Sequence, residues 1–183
     1  MKRQPTFAAL QSAMGRCASR LLAAVGAALL LGGAHTPLGG ADARILAAHN
    51  RERAALNLPP LAWEDSLAAD AKAWAATLAQ TGQLAHAPQS GGSGQGENLW
   101  MGTAGRFAAE QMVGAWSAER AQFRHGVFPQ VSATGDWADV GHYTQMIWRD
   151  TTHLGCAVAS GPRYDALVCR YARPGNVMGR APY

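Results

Sequence analysis

The densest run of chemically useful side chains is Gly141-His142-Tyr143-Thr144-Gln145-Met146-Ile147-Trp148-Arg149-Asp150-Thr151, which is aromatic, polar and ionisable and contains no proline. His142, Thr144 and Gln145 followed by apolar Met146 and Ile147 predict a short helix with one polar and one core edge, the wall of a buried site. Alone it names no chemistry. A second block, Leu167-Val168-Cys169-Arg170-Tyr171-Ala172-Arg173-Pro174-Gly175-Asn176-Val177, adds a strand, a cysteine and a turn. Elsewhere, Glu97 between Gly96 and Asn98 is either solvated at a loop end or held in a cleft, and His86 falls in a loop. Glu119, one turn beyond Trp116, reads by itself as a surface glutamate. His49 lies on an apolar helix face, the setting of a packed, hydrogen-bonded core histidine. There is no His-Glu-x-x-His and no Gly-x-Ser-x-Gly pattern, and Ser117 and Glu119 point in different directions on a helix, which argues against a serine nucleophile.

The elements that must position these groups follow from periodicity. Ile45, Leu46, His49 and Ala54 predict a helix over Asp42 to Asn57, stopped before Leu58-Pro59-Pro60. Leu67, Ala71, Trp74 and Leu78 predict a second helix, with Glu64 and Asp65 at its positive end and Gly82 just past its last turn. Trp63 and Trp74 read as core anchors. Pro88 to Gly96 is Gly/Ser-rich, lacks the lysine and spacing of a phosphate loop, and reads as a surface excursion. Order is expected again from Glu97-Asn98-Leu99-Trp100. Phe107, Met112, Val113 and Trp116 predict a third helix from about Arg106 to Glu119. The stretch from Arg120 to Trp137 reads as irregular. Leu154, Cys156 and Val158, then Leu167, Cys169 and Tyr171 after the Ser160-Gly161-Pro162 turn, alternate as an antiparallel hairpin with both cysteines facing one core layer.

Lys2, Arg3, Arg16 and Arg20 precede an apolar run from Leu21 to Leu31 that ends in Gly32-Gly33-Ala34, the pattern of a secretory leader over residues 1–34. A cut after Ala43 also leaves small residues at the right positions. The run is short for a membrane span, so contact with a membrane is expected only through an uncleaved signal anchor. All four basic residues behind the formal charge of +4 lie in this leader, which contains no acid; the remainder carries twelve basic and twelve acidic side chains. A neutral mature domain excludes nucleic acid as a partner class. Removing the leader also removes Cys17 and leaves the pair Cys156 and Cys169, a disulfide in an oxidising compartment or else two buried thiols.

Together the two blocks resemble the paired signatures of the CAP superfamily, which comprises cysteine-rich secretory proteins, insect venom antigen 5 and plant pathogenesis-related class 1 proteins. The first block fits at every position; the second departs at Ala166, where the family has a larger apolar residue. The likeness extends back to Ile45, through His49-Asn50, Arg53, Leu61-Ala62-Trp63, His86, Gly96-Glu97-Asn98, and Trp116 with Glu119, and implies one CAP (SCP) domain over residues 42–183. The C-terminal block looks most like the plant branch, but Arg173 stands where the plant peptide-release motif has proline, so peptide release is not carried over. The resemblance implies an α+β fold, a three-layer α-β-α sandwich around a short antiparallel sheet. It also implies that His86, Glu97, Glu119 and His142 line a central cleft. His86 and His142 would then offer neutral nitrogens to a divalent metal, zinc first, with the two glutamates orienting a bound water. No cofactor is required for folding on this reading. Three functions are compatible with it: an exported binding module for a lipid, a sterol or an extracellular protein; a metal- or carboxylate-assisted extracellular hydrolase; and a structural or defence-related surface protein with a non-catalytic tetrad. The expected location is secreted or extracytoplasmic, the periplasm if the cell is Gram-negative.

Overall fold

A computed structural model describes residues 39–88 and 94–183. The leader and most of the Gly/Ser-rich excursion lie outside the described residues. The chain order is α1 (Gly40–Ala54), β1 (Ala62–Trp63), α2 (Asp65–Thr81), β2 (Gly96–Thr103), α3 (Ala109–Ala118), α4 (Gly141–Met146), β3 (His153–Ser160) and β4 (Tyr164–Ala172), with single 3-10 turns at Glu119–Ala121 and Trp137–Val140. No helix among them is long and apolar enough to cross a membrane.

The sheet runs β1-β3-β4-β2. Its three long strands are antiparallel, as expected, and β1 adds a two-residue parallel pairing to β3 that makes the sheet mixed. Two residues are too few to show a period of two, so β1 left no mark in the sequence. Strand alternation sends Leu99, Ala166 and Val168 to one face, where Ala71, Ala75, Leu78 and Ala79 of α2 cover them. Leu154, Cys156, Leu167, Cys169 and Tyr171 face the other way, onto α1, α3 and α4. These are the three layers. The alanine face of α2 sits close to the sheet because position 155 is glycine; a Cβ there would collide with the backbone nitrogen of Ala68. Trp63 and Trp74 pack half-buried at the core margins.

The ends of two helices differ from expectation for local reasons. α1 stops at Ala54 because Leu58 N bonds back to Arg53 O and Asn57 takes a left-handed conformation (φ 54°). α3 begins at Ala109 because Phe107, counted above as a helix marker, instead packs edge-on against Trp100 (5.1 Å), and the Gln111 side chain caps Ala108 N. α2 ends as expected, with Gly82 left-handed at φ 68°. The irregular stretch after α3 has a small core of its own, in which Phe128 and Val131 pack on Val140 and Trp148.

Candidate functional site

Two histidine–carboxylate pairs form, each assembled from distant parts of the chain. The loop leaving α2 is pinned where Trp74 Nε1 donates to Ala85 O, and the next residue, His86, places Nδ1 2.6 Å from Glu97 Oε1. Ala87 N also donates to that oxygen (3.1 Å). Glu97, the second residue of β2, lies directly opposite Arg170 on β4, and Arg170 Nη2 lies 2.8 Å from Glu97 Oε2. This ion pair is close but poorly directed: neither Glu97 Oε2 nor the buried Arg170 Nε makes a well-aligned hydrogen bond. The Glu97 side chain is 9% exposed and that of His86 68%. Accepting the imidazole proton, Glu97 raises the pKa of His86 above its ordinary value, against the opposing effect of burial.

Glu119 is not the surface residue that its sequence context suggests. It begins the 3-10 turn after α3, accepts from His142 Nδ1 (2.6 Å) through Oε1, and accepts from Tyr143 N (2.9 Å) through Oε2, neutralising the exposed N–H end of α4. His142 also stacks on Trp116, with centroids 5.9 Å apart and planes 14° from parallel.

Strand alternation on β2 links the two pairs. Glu97 points to the α2 face, and Asn98 points to the other, where its Nδ2 donates to His142 O and to Tyr171 Oη (both 3.0 Å). Tyr171 Oη in turn donates to His49 Nε2 (2.8 Å), and His49 Nδ1 donates to Ile45 O (2.9 Å). Each donor in this buried chain meets an acceptor, so His49 is structural, as expected. Burial lowers its pKa to about 4. A neutral His49 contributes stability above pH 6.5 that is lost as the unfolded chain takes up a proton and the folded one does not. Denaturation curves should show a loss of about 2 kcal/mol from this group between about pH 7 and pH 5. An NMR titration placing His49 near its ordinary value would contradict this. His86, with its pKa raised, acts in the opposite direction: its contribution is full in acid and fades as pH rises through its folded value.

The second sequence block clamps α4. Gly175 N donates to Gln145 Oε1 (2.8 Å), Thr144 Oγ1 to Asn176 Oδ1 (2.7 Å), and Asn176 Nδ2 to Gly141 O (2.9 Å). Gln145 stands in the helix expected to wall the site, whereas Arg170 was given no role there from the sequence. Arg170 was findable: it follows the core-facing Cys169 and so must face the side where Glu97 stands. A cavity of about 760 Å³ opens beside the first pair, lined by Trp74, His86, Glu97, Gln145, Arg170 and Asn176 among others; Glu119 and His142 do not line it. Among the described residues no three His, Cys, Asp or Glu side chains converge on one metal position. The sulfurs of Cys156 and Cys169 are bonded to each other, as expected.

Comparison with known proteins gives these features a family. The sequence model of CAP, the cysteine-rich secretory protein family, matches residues 46–171. The pathogenesis-related protein PR-1 type of Sambucus nigra is 35% identical over 137 residues, which cover 74% of this chain and 78% of that one. Pathogenesis-related protein 1C of Nicotiana tabacum is 37% identical over 140 residues, 75% of this chain and 78% of its own. Among solved structures, NaASP2 with Zn2+ superimposes with a TM-score of 0.66 at 27% identity, covering 78% of this chain and 84% of the other. BmVAL-1 shares the fold with a TM-score of 0.67 at 23% identity, over 84% and 85% of the two chains. With its paired signatures, three-layer sandwich and plant relatives, this chain belongs to the CAP family of cysteine-rich secretory proteins.

Proposed function

We propose that the protein is an exported binding module whose His86/Glu97 and His142/Glu119 pairs hold a divalent metal, zinc first, leaving coordination positions for an external ligand. The observation that carries this reading is the tautomer each carboxylate imposes. With Nδ1–H directed at a glutamate 2.6 Å away, the Nε2 lone pair of each imidazole is left to coordinate. A carboxylate on Nδ1 is how a histidine is prepared to ligate a metal, and neutral imidazole nitrogens are donors that zinc accepts. Zinc would supply a Lewis-acidic anchor for a ligand oxygen, nitrogen or sulfur. The protein's own contribution is to orient the rings: Glu97 is steered by Arg170 and Ala87 N, and Glu119 is locked by Tyr143 N. The solved relative NaASP2 with Zn2+ supports the choice of metal. Export rests on the leader pattern, the bridged cysteine pair and the family's secretory character.

The cavity lining bears on the ligand. Asp70, Gln95, Gln145, Arg170 and Asn176 place polar groups around Trp74, Pro88 and Pro174. Such a wall suits a lipid or sterol bound through its polar end, or a protein segment, better than a wholly apolar molecule. Calorimetric zinc titration at neutral pH should give binding that is lost in a His86→Ala/His142→Ala double variant and weakens in acid from above pH 6.5, where the raised pKa of His86 lets protons compete. Folding should not depend on zinc, because two protein ligands leave the shell open. Equal affinity in both proteins, or no binding in either at millimolar zinc, would overturn the reading.

A further inference from the structure

The free edge of β3 has a built lane beside it. β1 occupies that lane for two residues, after which the chain turns away into α2, and among the described residues no strand pairs with the outer edge of β3 from Cys156 to Ser160. The direction of the backbone groups follows from the ladder. Cys156 and Cys169 face each other with Cα atoms 4.1 Å apart, the spacing of a non-hydrogen-bonded pair, so the N–H and C=O of Cys156 point away from β4. Two residues earlier Leu154 O points the same way and accepts Glu64 N (2.9 Å). Two residues later Val158 does so with no described residue paired to it on that side, and its side chain is exposed. On the other edge of the sheet the outward Leu99 O accepts Trp116 Nε1 (3.1 Å).

Exposed edges are normally blunted by lysine, proline or a bulge. β3 has none of these; its register with β4 is one-to-one throughout. Instead it opens into a slot of about 330 Å³ between the two helical layers, walled by Ala41 and Asp42 of α1 on one side and by Ala68, Ala69 and Lys72 of α2 on the other. The alanines leave room for a backbone, and the two charges stand on opposite walls. Burial and the neighbouring Asp65 both raise the pKa of Asp42, so a cation on that wall would relieve a crowded acid.

We propose that this slot is a docking site for an extended peptide segment of another protein, added as a fifth strand along Cys156–Ser160 and carrying an acidic residue next to a basic one. Adjacent residues of a strand face opposite sides, so the acid meets Lys72 and the base meets Asp42. A second copy of this chain fits less well. Antiparallel pairing of β3 with itself keeps the same faces together, setting Lys72 beside Lys72 and Asp42 beside Asp42 of the other copy. The site stands apart from the histidine pairs and does not depend on metal.

The test uses the oxidised, exported protein and a capped peptide, Thr-Val-Thr-Glu-Lys-Val-Thr, followed by NMR and amide hydrogen exchange. Saturating peptide should slow exchange at Cys156 and Val158 by about tenfold or more. Val158→Pro removes an outward N–H at an edge position that tolerates proline, and should weaken binding about tenfold while the fold is kept. Lys72→Glu should weaken it similarly, and the same peptide with lysine in place of glutamate should restore it. Four results would overturn the proposal: no binding at millimolar peptide; equal binding by Val158→Pro; protection of these amides in the free monomer, which would mean that residues before Gly39 already fill the lane; and protection that follows concentration-dependent dimerisation.

Discussion

Replacing Arg53 by alanine should lower the unfolding free energy by about 4 kcal/mol, and replacing it by lysine should recover little of that. Arg53 is fully buried near the end of α1 and has no carboxylate partner among the described residues. Its guanidinium instead satisfies four carbonyls: Nε donates to Pro59 O (2.8 Å), Nη1 to Met146 O (3.1 Å) and Trp148 O (2.8 Å), and Nη2 to Thr151 O (3.2 Å). Met146 closes α4, and Trp148 and Thr151 lie between α4 and β3, so this one side chain ties down the end of the helix that carries His142 and the chain that follows it. Burial pulls its pKa down to about 10, which still leaves it charged at neutral pH. Truncation strands three buried acceptors, each costing about 1 kcal/mol or more, and one part-buried acceptor, Pro59 O, that water can reach. A lysine ammonium is a point donor and cannot span the same fork. Against a typical total of about 5–15 kcal/mol, the alanine variant should be near its folding limit. Urea denaturation with an unchanged slope checks this; a loss below about 1 kcal/mol would show that the carbonyls find other partners.

Removing the Cys156–Cys169 bridge should be the next most costly change, at about 3 kcal/mol. The bond joins directly paired residues of β3 and β4 that are 13 apart in sequence, and the chain-entropy model gives that figure for a loop of about this length. Because the strands are in register on both sides of the bridge, its loss should lower stability without shifting the hairpin. A Cys156→Ala/Cys169→Ala variant should therefore show a lower urea midpoint with the same cross-strand contacts. Equal midpoints would mean that the reduced unfolded chain is already restricted around this hairpin.

The parts of this fold that were legible in the sequence are those where one element shows its whole period. Leu67, Ala71, Trp74 and Leu78 announce α2, and Gly82 marks its end because only a left-handed residue stops it there. The β3–β4 hairpin is equally open, since its two faces alternate over eight and nine residues. Boundaries decided by a single tertiary contact were not legible: Phe107 looks helical until Trp100 takes it away, and Asn57 looks helical until its backbone turns left-handed. The site has no local signature at all. His86 and Glu97 are 11 residues apart, and Glu119 and His142 are 23 apart. What pairs them is the alternation of Glu97 and Asn98 on β2 and the 3-10 turn that follows α3. Those four residues were reached through family resemblance, whereas the role of Arg170 follows from strand pairing once β2 and β4 are set side by side.

The most direct test of the metal-site proposal is an anomalous difference map at the zinc edge from crystals of the mature protein soaked in zinc at neutral pH. A single peak is expected at about 2.0–2.1 Å from Nε2 of both His86 and His142, with Glu97 and Glu119 still bonded to Nδ1 and the remaining positions filled by non-protein atoms. Separate peaks on the two histidines, a peak held by the carboxylates instead of the imidazoles, or no peak at either ring would contradict it.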